Sequence, residues 1–408
     1  MGLVSLMQSG AEQRVVWVTH FTGFLGVWPF AGKNFLEIFL SRTGSATSCT
    51  SKPYFWGPCP HFLAVIWLLP GQACEIRDYS GCYTQNGEFI DFFPVRSPGP
   101  IWSGSKSLFK MREGTLMALA SATQTELQNV PFDKGEAWDA NTATLVDQEI
   151  KSFFEYLKNA LKNEMVNTIN GYDSAFTDDE NFISLFMKEM DKRSVAIMEE
   201  NIQAAIEKYK IDPANTYLAI TGGYALNCPA NSHLMKKFGF KGFIAPPCVN
   251  DGGLSLGIAL YAFYKKMEGK RFSFTFKNAY YGDSESISAD KLFHCYNKFI
   301  KSIETATSEL IVDDILQSPV VWFQDKAEIG PRALGNRSIL GDPTNIHTKH
   351  ELNRIKEREW WRPIAPIILQ DDLNAWFDSA YPSPYMLHTF NLRENKKNTV
   401  PAVVYMVR

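Results

Sequence analysis

The chain has 408 residues, enough for two or three domains at roughly 100–200 residues each. Hydrophobic residues make up 45% and charged residues 21%, which indicates a globular protein and argues against a disordered one. The formal net charge of −3 argues against a nucleic-acid-binding protein, because such proteins usually carry a basic excess.

The first 75 residues carry clustered Trp, Phe, Pro and Cys with little periodicity, and no secondary structure is predicted there. The apolar run FLAVIWLLP (62–70) is too short to span a bilayer, and no basic region precedes an apolar one, so neither a membrane anchor nor a signal peptide is expected. The seven cysteines form no CxxC pair, and their odd number and wide spacing predict reduced thiols in a cytoplasmic protein.

The middle of the chain predicts both strands and helices. Residues 80–125 resemble short strands and turns, with an Asn-Gly hairpin turn in GCYTQNGEFIDFF. Residues 145–170 and 183–210 have apolar side chains at helical spacing and predict two helices. The stretch TYLAITGGYALNCPANSHLMKK (216–237) predicts a strand, a Gly-Gly turn and a helix. FKGFIAPPCVNDGGLSLGIALYAFYKK (240–266) predicts the same order, with a Pro-Pro loop before Asp-Gly-Gly.

The C-terminal part begins with a polar stretch at 268–290 that predicts a linker. SPVVWFQ (318–324) predicts a strand, LNAWF (373–377) predicts a short helix, and the apolar run at the end of the chain predicts a final strand. No internal repeat is present.

Two Gly-Gly turns, ITGGYALN and VNDGGLSLG, each follow a predicted strand and precede a predicted helix. Glycines let the backbone approach an anion closely, and a helix N-terminus supplies unpaired N–H groups. The alternative is a tight turn without a ligand, because short glycine motifs often match by chance. Asp251 precedes the second pair, where its carboxylate would cap the helix or bind a metal ion, and spacing alone favours the cap.

Six basic residues lie within 37 positions and are interleaved with tryptophans and prolines: Lys326, Arg332, Arg337, Lys356, Arg358 and Arg362. Arginine matches phosphate and carboxylate oxygens with two parallel hydrogen bonds, and clustered cations repel one another unless an anion holds them together. The alternative is a solvated basic face paired with Glu328, Glu357 and Glu359. The rigid turn residues Gly330, Pro331 and Gly335 favour the anion site.

His347 and His350 have the i, i+3 spacing of a metal-binding pair, but no third ligand is nearby in sequence, so exposed helix histidines are expected. The chain contains no Walker A loop, no GxSxG elbow and no HExxH motif.

Five stretches carry a family resemblance: MREGTLMALAS, GGYALNCPANS, APPCVNDGGLSLGIAL, WFQDKAEIGPRALGNRSILGDP and KEREWWRPIAPIIL. From about residue 105 to about residue 385 the chain resembles the NodU/CmcH family of O-carbamoyltransferases. The resemblance implies an α/β protein in which a Kae1-like domain of the actin/Hsp70 ATPase superfold precedes a YrdC-like α/β domain. It implies that the YrdC-like domain converts carbamoyl phosphate and ATP to carbamoyl adenylate and pyrophosphate. The Kae1-like domain then transfers the carbamoyl group to a small-molecule alcohol, as in antibiotics, nodulation signals or saxitoxin-like alkaloids.

The resemblance also implies roles for individual residues. Catalytic contacts to carbamoyl phosphate and ATP fall on Arg332, Arg337, Lys356 and Arg362; nucleotide contacts fall on Gly222, Gly223, Asn227, Gly252, Gly253 and Arg358; and Asp251 is a metal ligand. Iron or zinc is the metal expected from the family, and Mg²⁺ is left open. The family's HxxxH segment is expected near residues 46–50, where this chain reads ATSCT, and Asp325 and Lys326 stand where the family tends to have Gly and Arg.

The predicted domains are a divergent segment at 1–75, an incomplete Kae1-like domain at 76–270, a linker region at 271–315 and a truncated YrdC-like domain at 316–408. The expected partner is a small-molecule alcohol, with no nucleic acid and no membrane, and a homodimer is left open. Two alternatives remain: an inactive, truncated remnant of such an enzyme, and a threonylcarbamoyl-adenylate relative that acts on tRNA.

Overall fold

A computed structural model describes residues 61–66, 80–85, 88–127, 143–162, 169–170, 173–253, 255–257, 259, 266–267, 278–283 and 288–404. The chain divides into two compact units. The N-terminal unit contains the described residues before 277 together with Leu387–Thr389, and the C-terminal unit contains the described residues of Lys277–Met386 and of 390–404. Most of the predicted segment 1–75 lies outside the described residues. The identification of the units as Kae1-like and YrdC-like remains a prediction.

A five-stranded mixed sheet forms the centre of the N-terminal unit, in the order β3-β2-β1-β6-β7. Its strands are β1 His61–Ile66, β2 Ser80–Gln85, β3 Glu88–Pro94, β6 Tyr217–Ile220 and β7 Gly242–Ile244. Strands β1, β6 and β7 are parallel to one another, whereas β2 is antiparallel to both β1 and β3. The antiparallel β2–β3 pair confirms the predicted hairpin. With its helices, the unit is of mixed α/β type, as predicted.

Two helices replace part of the strand-and-turn region that the sequence predicts between residues 80 and 125. They are α1 Gly99–Phe109 and α2 Glu113–Ala122, so the prediction is wrong there. Pro100 stands in the first turn of α1, where its missing N–H costs nothing. The glycine and serines of α1 weaken the helical pattern, but its buried side chains include Ile101 and Trp102. A short strand, β4 Glu126–Leu127, follows α2.

Helices α3 Ala143–Lys162 and α4 Asp178–Tyr209 match the two long helices predicted from apolar spacing. The N-terminus of α4 is a capping box, because Thr177 accepts the Glu180 N–H and the Glu180 carboxylate accepts the Thr177 N–H. The rings of Phe153 and Phe186 pack 5.2 Å apart and are fully buried. The predicted extension of α3 to residue 170 is wrong at its end, where β5 Ile169–Asn170 pairs with β4.

Both predicted strand–turn–helix segments are present. Strand β6 leads through a short 3₁₀ turn, Gly223–Leu226, into α5 Cys228–Phe238, which ends at Gly239 in the left-handed conformation with φ 67°. Strand β7 leads to a second 3₁₀ turn, Asp251–Gly253, and residues 255–257 are helical.

The C-terminal unit combines short helices with two two-stranded sheets. Its elements are α6 Ala289–Tyr296, α7 Ser308–Gln317, β8 Val320–Phe323, β9 Arg337–Leu340, α8 Thr348–Ile355, α9 Leu373–Trp376, β10 Phe377–Asp378 and β11 Asn391–Leu392. Antiparallel β8 and β9 confirm the predicted strand in SPVVWFQ, and α9 confirms the short helix in LNAWF. The predicted linker region 271–315 contains α6 and most of α7.

The end of the described chain is not the strand that its apolar residues predict. Pro401–Val403 form a 3₁₀ turn, because proline suits the first position of a helical turn and cannot donate to a strand ladder. Ala402 is buried and donates its N–H to the Pro343 carbonyl at 3.2 Å. None of the described helices combines the length and the apolar character needed to cross a bilayer.

Candidate functional site

A single carboxylate organises the loop between β8 and β9, which carries the predicted Arg332. One oxygen of Glu328 accepts the backbone N–H groups of Leu334 and Asn336, each at 2.8 Å, and that of Arg337 at 3.1 Å. Burial alone would raise the pKa of Glu328, but these backbone donors outweigh burial and hold the pKa below its usual value. In the sequence-based alternative Glu328 pairs with arginine side chains, whereas these three hydrogen bonds go to the backbone.

The same loop is held from the other side by neutral side chains. The Tyr280 hydroxyl donates to the Leu334 carbonyl at 2.7 Å, and burial, aided by the charge of Glu328, raises the pKa of Tyr280 to about 12. Asn336 is buried and donates its side-chain amide to the Lys326 carbonyl at 2.8 Å. Gly335 has φ 110°, a conformation that few other residues adopt. The loop is therefore fixed by the chain's own groups.

Arg337 lies against this loop with its guanidinium 3.4 Å from the centre of the Phe323 ring. Its Nη1 donates to the carbonyls of Gln324 at 2.6 Å and Asn336 at 2.9 Å, and its Nη2 donates to the Asp325 carbonyl at 3.0 Å. Most of its hydrogen-bonding capacity thus closes the loop. The geometry favours this structural role over the phosphate contact that the sequence predicts for Arg337.

Asn353, on α8, organises the second basic segment. Its fully buried side chain donates to the carbonyls of Trp360 at 2.9 Å and Arg362 at 3.0 Å, and its oxygen accepts from the Arg358 Nε at 2.5 Å. Trp361 is also buried and anchors the segment in the core. Asn353 therefore fixes the backbone and side chains around two of the predicted cations.

Four of the six predicted cations act on one another electrostatically. Burial lowers the pKa of Lys356, and the charges of Arg358 and Arg362 lower it further. Burial also lowers the pKa of Arg358, followed by the charge of Arg362 and, less strongly, that of Arg332. We call these four residues, Arg332, Lys356, Arg358 and Arg362, the basic cluster. Glu359 contacts Arg362 at 3.6 Å and offsets part of its charge.

The glycines of the two turns in the N-terminal unit are under different structural constraints. Gly222 has φ 88° and donates its N–H to the Val249 carbonyl at 2.9 Å, which joins the two turns. Gly223 has an ordinary φ, and a Cβ added there would meet no atom within 4 Å. A Cβ on Gly253 would collide with the Cys248 carbonyl, so this glycine is needed for packing. A Cβ on Gly252 would lie 3.3 Å from the Asn250 Oδ1 atom.

Asn227, a predicted nucleotide contact, is engaged inside the unit. Its side-chain N–H donates to an Asp191 carboxylate oxygen at 2.8 Å, and its own oxygen accepts the Ala230 N–H at 3.3 Å and caps α5. Burial raises the pKa of Asp191, opposed by the hydrogen bonds from Asn227 and Ser194. Asn227 therefore stabilises the end of the first turn and the start of α5.

Two polar atoms beside the turns were not singled out from the sequence. The Thr221 Oγ1 and Asn250 Oδ1 atoms are buried and have no hydrogen-bond partner in the part of the chain that the structure describes. They flank the hydrogen bond between Gly222 and Val249. A buried polar group left unsatisfied costs about 1–3 kcal/mol, so both atoms favour a bound polar group at this place. The available sequence signal was a polar residue just before each glycine pair: Thr221 directly precedes Gly222, and Asn250 lies two residues before Gly252.

The predicted metal ligand Asp251 is exposed and begins the second turn. Among the residues described, no group of three or more His, Cys, Asp or Glu side chains is close enough to hold a metal ion. These residues alone therefore do not fit iron or zinc, which need about three or more protein ligands. The stretch 46–50 lies outside the described residues. His347 and His350 are exposed, as predicted, and the His350 ring stacks on Trp360 at 5.7 Å.

Residues 312–407 match the family model of the carbamoyltransferase C-terminus. Over its matched residues the chain is similar to carbamoyltransferases of the NodU/CmcH type. The nodulation protein NolNO of Sinorhizobium fredii is 31% identical over 199 residues, 46% of this chain and 29% of that protein. The 3'-hydroxymethylcephem-O-carbamoyltransferase of Amycolatopsis lactamdurans is 33% identical over 193 residues, 45% of this chain and 34% of that protein. Nodulation protein U of Rhizobium tropici is 33% identical over 212 residues, 52% of this chain and 35% of that protein.

The chain thus spans 29–35% of the length of these carbamoyltransferase relatives. The resemblance found in the sequence is confirmed. All four residues of the basic cluster, together with Glu328 and Asn353, lie within the segment that matches the carbamoyltransferase C-terminus. The glycine turns at 222–223 and 251–253 lie outside that segment.

Proposed function

We propose that this protein takes part in ATP-dependent O-carbamoyl transfer. The donor is carbamoyl phosphate, which loses its phosphate to water and leaves carbamate. The carbamate displaces pyrophosphate from ATP to form carbamoyl adenylate, and a hydroxyl group of a small molecule then accepts the carbamoyl group and releases AMP. The observation that carries this proposal is the basic cluster, which lies within the segment that matches the carbamoyltransferase C-terminus.

The electrostatics of the basic cluster suit a site for phosphate groups. Burial lowers the pKa values of Lys356 and Arg358, repulsion from the neighbouring cations lowers them further, and a bound anion offsets that repulsion. Phosphoryl and adenylyl transfer place negative charge on leaving oxygens, and fixed cations stabilise this charge without reorganising. The loops on either side are already fixed by Glu328 and Asn353, so little ordering is required when the ligand binds.

Within this proposal, Arg332 and Arg362 bind carbamoyl phosphate, whereas Lys356 and Arg358 bind the phosphates of ATP. Arginine suits the donor because its planar group can make two parallel hydrogen bonds to one phosphate. In the N-terminal unit, Gly222 and Gly223 form the nucleotide-facing turn, and the buried Thr221 hydroxyl and Asn250 side-chain amide supply polar contacts there. A Mg²⁺ ion would accompany the triphosphate and neutralise part of its charge.

The acceptor class is supported by the relatives. Two similar proteins, from Amycolatopsis lactamdurans and Streptomyces clavuligerus, are named as 3'-hydroxymethylcephem-O-carbamoyltransferases. A small-molecule hydroxyl is therefore the acceptor that we propose here, with neither nucleic acid nor membrane as partner. The family's iron or zinc ion remains an expectation to which we assign no step, and cytoplasmic location and a homodimer also remain expectations.

Substitution of the two proposed donor-binding arginines tests the function. We expect Arg332→Ala and Arg362→Ala each to weaken carbamoyl phosphate binding by about 1.5–3 kcal/mol, the scale of hydrogen bonds to charged groups. Isothermal titration calorimetry on the full chain measures this loss. Arg354→Ala is the matched control, because Arg354 is exposed on α8 and pairs with Glu351 at 2.5 Å. Equal affinity in the wild type and both test variants would refute the assignment.

A further inference from the structure

A carboxylate lies close in sequence to one residue of the basic cluster. A site for phosphate groups should exclude carboxylates, yet Glu328 lies in the loop that carries Arg332 and is only four residues from it. Three backbone N–H groups, those of Leu334, Asn336 and Arg337, donate to the same carboxylate oxygen of Glu328. These hydrogen bonds give Glu328 a role beyond packing.

The hydrogen bonds of Glu328 fix the part of the loop that follows Arg332. The peptide at Leu334 is held at both ends, since its N–H donates to Glu328 at 2.8 Å and its carbonyl accepts from Tyr280 at 2.7 Å. Gly335 then turns the chain with φ 110°, and Asn336 is buried. On the other side of Arg332, Gly330 has φ 102°. Arg332 therefore stands between two glycines with positive φ, and the segment that follows it is held by one carboxylate.

We propose that Glu328 is a positioning residue for the anion site: it fixes the loop that presents Arg332 to a phosphate group. The inference rests on the proposed function, because it concerns the same site. Glu328 makes no contact with the ligand in this mechanism. It acts by holding backbone amides, and Tyr280 assists it by holding the Leu334 carbonyl.

The sign of one substitution separates this role from a simple charge effect. If Glu328 acted only through its charge, Glu328→Gln would remove a negative charge from the loop that carries Arg332 and tighten anion binding. If Glu328 acts by positioning, the same change weakens the three hydrogen bonds, loosens the loop and weakens anion binding. We expect carbamoyl phosphate affinity to fall about tenfold, which corresponds to the loss of part of a set of charge-assisted hydrogen bonds.

Calorimetric titration of the full chain with carbamoyl phosphate, repeated with pyrophosphate, measures this effect. Glu309→Gln is the matched control, because Glu309 is an exposed acid of the same unit in the first turn of α7. We expect this control to bind carbamoyl phosphate as the wild type does. In an Arg332→Ala background, Glu328→Gln should cause no further loss, since the loop then has no Arg332 to present. A merely structural role would weaken binding equally in both backgrounds.

Hydrogen exchange provides a readout that does not depend on any ligand. The amides of Leu334, Asn336 and Arg337 should exchange faster in Glu328→Gln, whereas the β6 amides should not change. If Glu328→Gln does not fold, Tyr280→Phe tests the same loop from the Leu334 carbonyl. We then expect faster exchange at Leu334 and several-fold weaker carbamoyl phosphate binding.

The outcomes distinguish the two proposals. Wild-type protein that binds neither pyrophosphate nor carbamoyl phosphate would refute the proposed function. Wild-type binding that Glu328→Gln leaves unchanged or tightens would refute the positioning role alone. Unchanged exchange of the three amides would refute it as well.

Discussion

Arg337 and Arg358 show how two arginines of one basic region divide their donors. Arg337 directs three hydrogen bonds to backbone carbonyls and stacks on Phe323. The Arg358 Nε donates to the Asn353 side-chain oxygen, and its Nη2 donates to the Pro363 carbonyl at 3.1 Å. Burial lowers the pKa of Arg358, and the charges of Arg362 and Arg332 lower it further. Arg337 therefore closes a loop, whereas Arg358 is fixed by its hydrogen bonds and repelled by neighbouring cations.

Lysine at position 337 would test the structural role of Arg337. A lysine ammonium cannot reach three carbonyls with a planar group or stack equally well on Phe323. We expect Arg337→Lys to lower the free energy of unfolding by about 1–3 kcal/mol in urea denaturation. Arg393→Lys is the control, because Arg393 is half exposed and lies 3.9 Å from Asp378. Unchanged stability with lost pyrophosphate binding would instead make Arg337 a ligand contact.

Lys356 predicts proton uptake when an anion binds. Its pKa is lowered in the free protein, first by burial and then by Arg358 and Arg362, and a bound phosphate would raise that pKa. As the pH rises towards the lowered pKa, a growing fraction of Lys356 is neutral and takes up a proton on binding. Calorimetry in two buffers of different ionisation enthalpy should show uptake that increases with pH and disappears in Lys356→Met. Uptake that is unaffected by this variant would assign the proton to another group.

At the scale of elements, the turn after β6 separates two kinds of glycine. Gly222 needs its conformation, since φ 88° with ψ 175° is a region that only glycine adopts readily. Gly223 has ordinary backbone angles and open space where a side chain would be. The sequence predicts a Gly-Gly turn, and in the structure only its first glycine has a conformation that requires glycine.

Paired substitutions in this turn should separate stability from ligand binding. We expect Gly222→Ala to lower the free energy of unfolding by about 1–3 kcal/mol, because a Cβ strains the left-handed backbone. Gly223→Val should leave the fold intact and weaken ATP binding, because its side chain would occupy the space proposed for the nucleotide. Thermal unfolding and ATP titration of both variants measure the two effects. Retained ATP affinity in folded Gly223→Val would contradict the proposed contact.

The elements that the sequence predicted correctly are those coded by local pattern. Strand β6, its glycine turn and α5 follow from an apolar run, two glycines and a helical repeat, all within 217–238. The helices at 99–122 were missed because glycine and serine interrupt the repeat, and the packing that stabilises them is not local.

The basic cluster was predicted because its charges are dense in sequence. The roles of Glu328, Asn353 and Thr221 were not, because each depends on where a loop brings backbone groups. Glu328 reads as one more surface acid until the amides six to nine residues later are seen to meet its carboxylate. Asn353 reads as an ordinary helix residue until the loop after α8 returns to it.

At the scale of the whole molecule, three residues from late in the chain belong to the N-terminal unit. The Asn231 side chain donates to the Leu387 carbonyl at 2.8 Å, and the Thr389 N–H donates to the Ser232 hydroxyl at 2.8 Å. Between them, the His388 ring packs edge-on against Phe243 at 4.7 Å. Burial lowers the pKa of His388 from 6.5 to about 4.

This histidine predicts that acid releases the segment. Between about pH 6.5 and about pH 4 the unfolded or undocked His388 binds a proton that the buried ring does not, so the free energy that holds the segment falls as the pH falls. Hydrogen exchange at the Thr389 amide should accelerate over this range. His388→Phe, which cannot titrate, should abolish the pH dependence. Acceleration that persists in this variant would place the titrating group elsewhere.

The position of Leu387–Thr389 has a consequence for how the gene could be divided. A break between codons 276 and 277 would yield a first fragment without these three residues, so Asn231 and Ser232 would lose the partners that they have in the intact chain. The second fragment would carry the missing residues among those of its own unit. Two halves produced from separate genes would therefore have to recombine in trans before the first could complete its structure. A cell that expressed only the first half would make a unit in which Asn231 and Ser232 lack these partners.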